Sequence, residues 1–250
     1  MRDLLRSVID LALPSTCGGC REPGTSLCAA CSGALAGAAR PAIPCPLPAG
    51  WPQSWAGGAY AGPAAALLRA YKDADRRDLA PALGACLARA VDATLGADAL
   101  AARAAAAGHL VVVPVPSGRR TTRRRGDRPV HALARSALTG LDPREAPLVD
   151  ALRQVRVVAD QAGLGADDRR ANLASAMAVP RSARHRVSGA VCLVVDDVIT
   201  SGSTVVEACR ALRSAGAVHV VAASALVTPR RGGRERHPYP AGGSATRLSS

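Results

Sequence analysis

The sequence predicts an α/β protein, a parallel sheet flanked by helices, with a small cysteine-rich module ahead of it. Three observations predict it. Apolar runs closed by proline or acidic residues alternate with Ala- and Leu-rich stretches of helical periodicity. The run V-V-D-D-V-I-T-S-G-S-T, residues 194–204, passes from strand-forming residues through a turn into a helix. Two C-x2-C pairs stand close together near the N-terminus.

The chain has 250 residues, enough for one large domain or a core domain with a small module. Hydrophobic residues make up 48% and aromatics only 2%, with no Phe, so the expected core is Ala, Val and Leu. Net charge is +13, and Lys72 is the only lysine beside an abundance of arginine. Such a balance suits polyanions: nucleic acid, phosphorylated metabolites or an anionic membrane. It equally suits a soluble protein that is merely Arg-rich. No apolar run is expected to reach the roughly 18 residues that span a bilayer. Asp3 and Asp10 interrupt any signal-peptide core, so residues 1–14 read as a short amphipathic helix with Leu4, Leu5 and Val8 on one face. The expected location is the cytoplasm.

Residues 15–48 form the cysteine-rich module. Cys17 and Cys20 make one knuckle, and Cys28 and Cys31 the other. A two-residue gap lets both thiolates of a knuckle face one ion, and two knuckles complete a tetrahedral Zn²⁺ site. Disulfides would need an oxidising compartment. A redox C-x-x-C would open a helix after a strand, which this segment does not resemble. The zinc is expected to be structural, holding together a module with little core of its own. Cys86, Cys192 and Cys209 stand alone in apolar patterns and read as buried small hydrophobes.

The Pro-, Gly- and Ala-rich stretch 40–63 reads as a linker into a main domain over 58–228. Residues 62–71 and 78–107 read as helical, 109–116 as a buried strand stopped by proline, and 129–139 as a helix. The apolar pattern over 147–158 is broken, and 159–172 reads as a loop. A strand is expected at 187–196, a helix from Ser203 to Ala215 with Gly216 as C-cap, and a strand at 217–227. The tail 229–250 is expected to be disordered.

In an open parallel sheet, ligands bind at the carboxyl ends of the strands, where Asp196 and Asp197 fall. The turn that follows has Gly202 for close approach, hydroxyls on Thr200, Ser201, Ser203 and Thr204, and the free N–H groups of a helix start. Those features make a phosphate cup. A cup beside two carboxylates fits a ribose 5-phosphate, with the acids on the ribose hydroxyls and Mg²⁺ on the same oxygens. A plain strand, turn and helix capped by Ser203 would leave the two acids unexplained. The five histidines show no ligand or triad spacing.

The run from Val194 to Thr204 resembles the phosphoribosyl pyrophosphate (PRPP) signature of the type I phosphoribosyltransferases: hydrophobics, two acids, then a T-x-G-x-T loop. The order of the cysteine knuckles, A-Y-A-G-P-A-A-A-L-L-R-A-Y-K, V-P-V-P-S-G-R-R-T-T-R-R-R-G, Q-A-G-L-G-A-D-D-R-R-A-N-L and this signature resembles the ComF family, competence-associated proteins linked to DNA uptake. The likeness spans about residues 15–228. It departs where family members carry a further C-x-x-C, since only Cys45 stands there. It also departs at R-G-D-R-P, Arg125 to Pro129, where the family has R-G-F-N-Q, and at Val158, where it has threonine.

The resemblance implies a type I phosphoribosyltransferase-like sheet that binds PRPP with Mg²⁺, an acceptor attacking the ribose as pyrophosphate leaves. It places PRPP phosphate on Val198, Ile199, Thr200, Ser201, Gly202, Ser203 and Thr204. It gives the ribose to Asp196 and Asp197, a covering loop to residues 159–170, and the leaving group to Arg156, Gln161 and Arg169. Ser117, Gly118, Arg119 and Arg120 fit a pyrophosphate loop, and the same basic run fits nucleic-acid phosphates. The acceptor-reading hood would lie within 60–107. The other reading the family implies is a PRPP or nucleotide sensor that meets single-stranded DNA or a helicase-like partner. With few aromatics to stack on bases, any DNA contact would be mainly to phosphates.

Overall fold

The computed structural model describes residues 15–116, 128–140, 146–155 and 176–229. The expectations for the N-terminal helix 1–14, for Ser117–Arg120, for Arg156, Gln161 and Arg169, and for residues 230–250 of the tail lie outside the described residues.

The architecture is α/β. A five-stranded sheet has the order β1-β2-β7-β6-β3, with β1 Arg40–Pro41, β2 Ser54–Ala59, β3 Leu110–Pro114, β6 Val191–Ile199 and β7 His219–Val227. The pairings β2–β7, β7–β6 and β6–β3 are parallel, and the short edge strand β1 is antiparallel to β2. A separate two-stranded pair joins β4 Arg153–Gln154 to β5 Met177–Ala178. The helices are α1 Ala29–Gly33, α2 Gly62–Asp73, α3 Ala80–Ala97, α4 Ala99–Ala106, α5 Pro129–Ala137, α6 Arg184–Val187 and α7 Ser203–Ser214.

Two apolar clusters sandwich the sheet. Val191, Leu193 and Val195 of β6 pack with α2, α3 and α5 on one face, while Cys192 and Val194 pack with α7 on the other. This alternation is the strand period of two with both faces covered, so β3 and the first five residues of β6 read as continuous apolar runs. Cys86, Cys192 and Cys209 are buried as expected.

The stretch 40–63 departs from the linker reading, because it contains β1 and the sheet strand β2. The sequence S-W-A-G-G-A hides a strand because it has no β-branched residue. The reason is a close crossing: a Cβ on Gly57 would lie 1.8 Å from the carbonyl oxygen of Cys86 in α3. Strand propensity is sacrificed for a helix lying directly against the backbone.

The run 78–107 divides into a 3-10 turn, Arg77–Leu79, and two helices that part at Asp98. The Asp98 side chain accepts the Ala101 N–H at 2.9 Å and caps α4, while its other oxygen meets His219 Nε2 at 2.8 Å. Arg77–Ala97 is long and apolar enough, by length and composition, to cross a membrane, although Arg89 and Asp92 interrupt its apolar run. It packs as a core helix, burying Leu83, Cys86, Leu87, Ala90 and Val91 in the cluster over the sheet.

The strand expected at 187–196 starts later and runs further, to Ile199, so both acids lie inside it. Gly216 takes φ +94 after α7, as its reading as C-cap requires.

Candidate functional site

β6 carries the site to the carboxyl edge of the sheet, and α7 leads away from it. Asp196 and Asp197 are only 6% and 3% exposed. Charges so deeply placed need partners. Asp196 accepts the Asp197 backbone N–H at 2.8 Å. Asp197 faces Lys72 on the last turn of α2, with Nζ 2.8 Å from Oδ2. Burial, then the neighbouring Asp197 charge, push the Asp196 carboxyl well above the ordinary carboxylate range. Burial works against the Lys72 ammonium, but the two aspartates outweigh it, and its pKa rises above the ordinary lysine value.

The loop behind the acids has the form of an anion cradle. Gly202 is the residue before α7 and holds φ +77, a left-handed conformation. No side chain caps the helix, so Ser203 is its first residue rather than its cap, and the Ser203 and Ser201 hydroxyls meet each other at 2.9 Å. Among the described residues, no backbone carbonyl accepts from the N–H groups of Ser201 through Val205. The dipole of a twelve-residue helix adds positive potential there. Thr200, Ser201 and Thr204 reach solvent, while Val198 is half-buried and Ile199 is core.

Two further supports escaped the sequence reading. The Trp51 indole and Pro44, from the segment joining β1 to β2, press on Gly202: a Cβ there would lie 2.4 Å from Trp51 Cζ3 and 2.9 Å from Pro44 Cγ. Lys72 was visible only as the single lysine of an Arg-rich chain, which is the one signal that could have marked it. On the far side of α7, buried Glu207 accepts the Met177 N–H at 2.9 Å and pairs with Arg210 at 2.7 Å, tying β5 to the helix.

The second centre is the cysteine cluster. The sulfurs of Cys17, Cys20, Cys28 and Cys31 all lie within 4.8 Å of one another. Four sulfurs on one zinc at about 2.3 Å stand about 3.8 Å apart, and the Cys20–Cys28 separation is 3.6 Å. The donor set therefore fits a closed, structural Zn²⁺ site with no position left for a substrate. All eight cysteines are free, and Cys45 is exposed and outside this group. The Cys28 backbone N–H, 3.4 Å from Cys17 Sγ, and then that of Cys20 lower the Cys17 thiol to about 6. Burial, then the neighbouring sulfurs, push Cys31 up to about 12. At Cys28 the Cys31 N–H favours the thiolate, but burial and the Cys20 sulfur outweigh it and its pKa is raised.

The cluster shares the core of the main sheet. Cys17, Cys28, Cys31 and Leu35 pack in the same apolar group as Leu67, Leu68 and Tyr71 of α2. Gly18 abuts Leu79, Leu67 and Ala70, and Gly19 abuts Cys31 and Leu67. Arg76, just beyond α2, donates to the carbonyls of Thr16 at 2.8 Å and Ser26 at 3.2 Å.

A comparison with the curated proteins finds no match. Residues 132–242, from within α5 to beyond the end of β7, match the family model described as the phosphoribosyl transferase domain, and this part of the chain, with the acid pair and its loop, is similar to that family.

Proposed function

We propose that the chain binds PRPP, with Mg²⁺, at the carboxyl edge of β6 and transfers its phosphoribosyl group to an acceptor as pyrophosphate leaves. One observation carries the reading: a buried pair of adjacent carboxylates opens directly onto a loop whose N–H groups and hydroxyls lack backbone partners among the described residues. The loop Thr200–Thr204 takes the 5-phosphate, using backbone N–H donors and the helix dipole. Asp196 and Asp197 accept the ribose hydroxyls, their carboxylate oxygens being the hard donors a divalent cation prefers. When bound, Mg²⁺ offsets the charge of the pyrophosphate and favours its departure. The protein's share is to hold the ribose in line and exclude water. Ser117–Arg120 follow β3 in the chain, as the loop after Ile199 follows β6, which supports their assignment to the pyrophosphate. Arg156 and Arg169 complete the cationic set.

Calorimetric titration of zinc-replete protein with PRPP and Mg²⁺ tests this, beside an Asp196→Asn/Asp197→Asn double variant. Binding by the wild type that the double variant loses supports the reading. No binding by folded wild type sinks it.

The ComF resemblance and the net charge of +13 favour a second role, in the uptake of single-stranded DNA with a helicase-like partner. Anisotropy of a labelled single-stranded oligonucleotide, titrated at rising salt, tests it. Steeply salt-dependent binding untouched by PRPP supports that role, and no binding at low salt removes it.

A further inference from the structure

Lys72 sits where the proposed ligand site is most acidic, and its residue type is unusual for this chain. Of 32 basic Lys and Arg residues it is the only lysine, so the other 31 are arginine. An ammonium is a compact point charge on a flexible stem, whereas a guanidinium is a broad planar fork. The ammonium is therefore the side-chain group closest in kind to a small metal cation. Its Nζ lies 2.8 Å from Asp197 Oδ2, and the Asp197 side chain is 4% exposed against 39% for Lys72. The acid is fixed and the cation is on the outside, held by a stem that can swing away without disturbing the core. Tyr71, the preceding residue, is fully buried and anchors the helix by donating to the Pro129 carbonyl at 2.8 Å. The backbone at residue 72 is thus positioned while its side chain remains displaceable.

We infer that Lys72 is a tethered counter-cation: its ammonium holds the place on the Asp196–Asp197 pair that a divalent cation would take, and the two compete for it. The inference rests on the acid-pair reading above. In the absence of a phosphoribosyl ligand the ammonium already offsets the Asp197 charge, so free metal gains less by binding. A ligand that brings its own metal and anionic charge draws the ammonium outward onto its phosphates. Metal then enters with the ligand rather than ahead of it.

The test uses Mn²⁺ as the probe, titrated into zinc-replete full-length protein without PRPP and followed by electron paramagnetic resonance. Lys72→Met is expected to bind Mn²⁺ on the order of tenfold more tightly than wild type, an ordinary size for coupling between two ligands of one site. Lys72→Arg, which keeps the charge, shows no such gain, and adding Asp196→Asn and Asp197→Asn to Lys72→Met abolishes it. Lys72→Gln serves as a second neutral variant, with circular dichroism as the check on folding. Mn²⁺ affinity unchanged or lower in both folded neutral variants overturns the inference. A parallel PRPP titration separates the two ideas. A Mn²⁺ gain with no PRPP binding in any variant leaves the counter-cation standing and removes the PRPP reading. PRPP binding without a Mn²⁺ gain does the reverse.

Discussion

Gly202 and Trp51 are in contact so close that the glycine could not carry a side chain: a Cβ at Gly202 would lie 2.4 Å from Trp51 Cζ3. The loop at the start of α7 is thereby pressed into shape from the β1–β2 segment, about 150 residues earlier in the chain by the residue numbers. Gly202 also holds φ +77, a conformation that other residues adopt only at a cost. Gly202→Ala is expected to lower stability by about 1–3 kcal/mol from strain and overpacking together. It should also abolish the proposed PRPP binding, because the loop must shift away from Trp51. Urea unfolding and calorimetry measure the two effects. Unchanged stability would show that the Trp51 contact does not shape the loop.

The ionisation of Asp196 opposes folding. Its carboxyl is pushed well above the ordinary range by burial and by Asp197, so the folded state holds a proton that the unfolded chain has already lost above about pH 4. Stability therefore falls as pH rises from there toward the raised folded value. Asp196→Asn keeps an acceptor for the Asp197 N–H and removes the charge. It is expected to be at least as stable as wild type at pH 7, with each kcal/mol gained appearing as about 2–4 °C in Tm. The advantage should shrink steadily toward pH 4, where the carboxyl of the unfolded wild type also takes up its proton. Thermal melts of both proteins from pH 4 to 8 decide it, and an advantage that grows toward pH 4 would refute the assignment.

Glu207 holds β5 through a single backbone N–H, that of Met177. Glu207→Ala leaves that donor buried without an acceptor and should cost about 2–3 kcal/mol. Glu207→Gln keeps the acceptor and loses only the ion pair with half-exposed Arg210, so its cost should be smaller, about 1 kcal/mol or less. Denaturant unfolding of the two variants separates these contributions. Equal losses would mean that the charge, and not the N–H, is what Glu207 satisfies.

Zinc uptake should release protons and tighten as pH rises. Cys17, lowered to about 6, is already a thiolate at pH 7, whereas Cys28 and Cys31 are raised and hold their protons until the metal displaces them. Calorimetry of the chelator-stripped protein in buffers of different ionisation enthalpy counts the protons. Zinc binding that is independent of pH between 6 and 8 would contradict the assignment. Cys31→Ser should lose zinc and lower Tm, since Cys31 is also packed into the common core.

What the sequence disclosed was local. The acid pair, the small-residue loop and the helix after it are consecutive, so their chemistry can be read in one pass from Val194 to Thr204. The four cysteines are legible for the same reason. What escaped was set by contacts between distant segments. Lys72 reaches Asp197 only because α2 crosses the end of β6, and no spacing announces that. β2 was read as linker because Gly57, required by Cys86, erases the strand pattern. The limits of β6 shifted because buried acids look like the end of a strand when their partner is out of view.

Helix α2 meets the cysteine knuckles at Leu67 and Ala70 and the acid pair at Lys72, a separation of about 8 Å along its axis at most. It acts as a short lever with sulfur at one end and carboxylate at the other. The same helix thus supports both centres: its Leu67 and Ala70 pack on the knuckles, and its Lys72 meets Asp197.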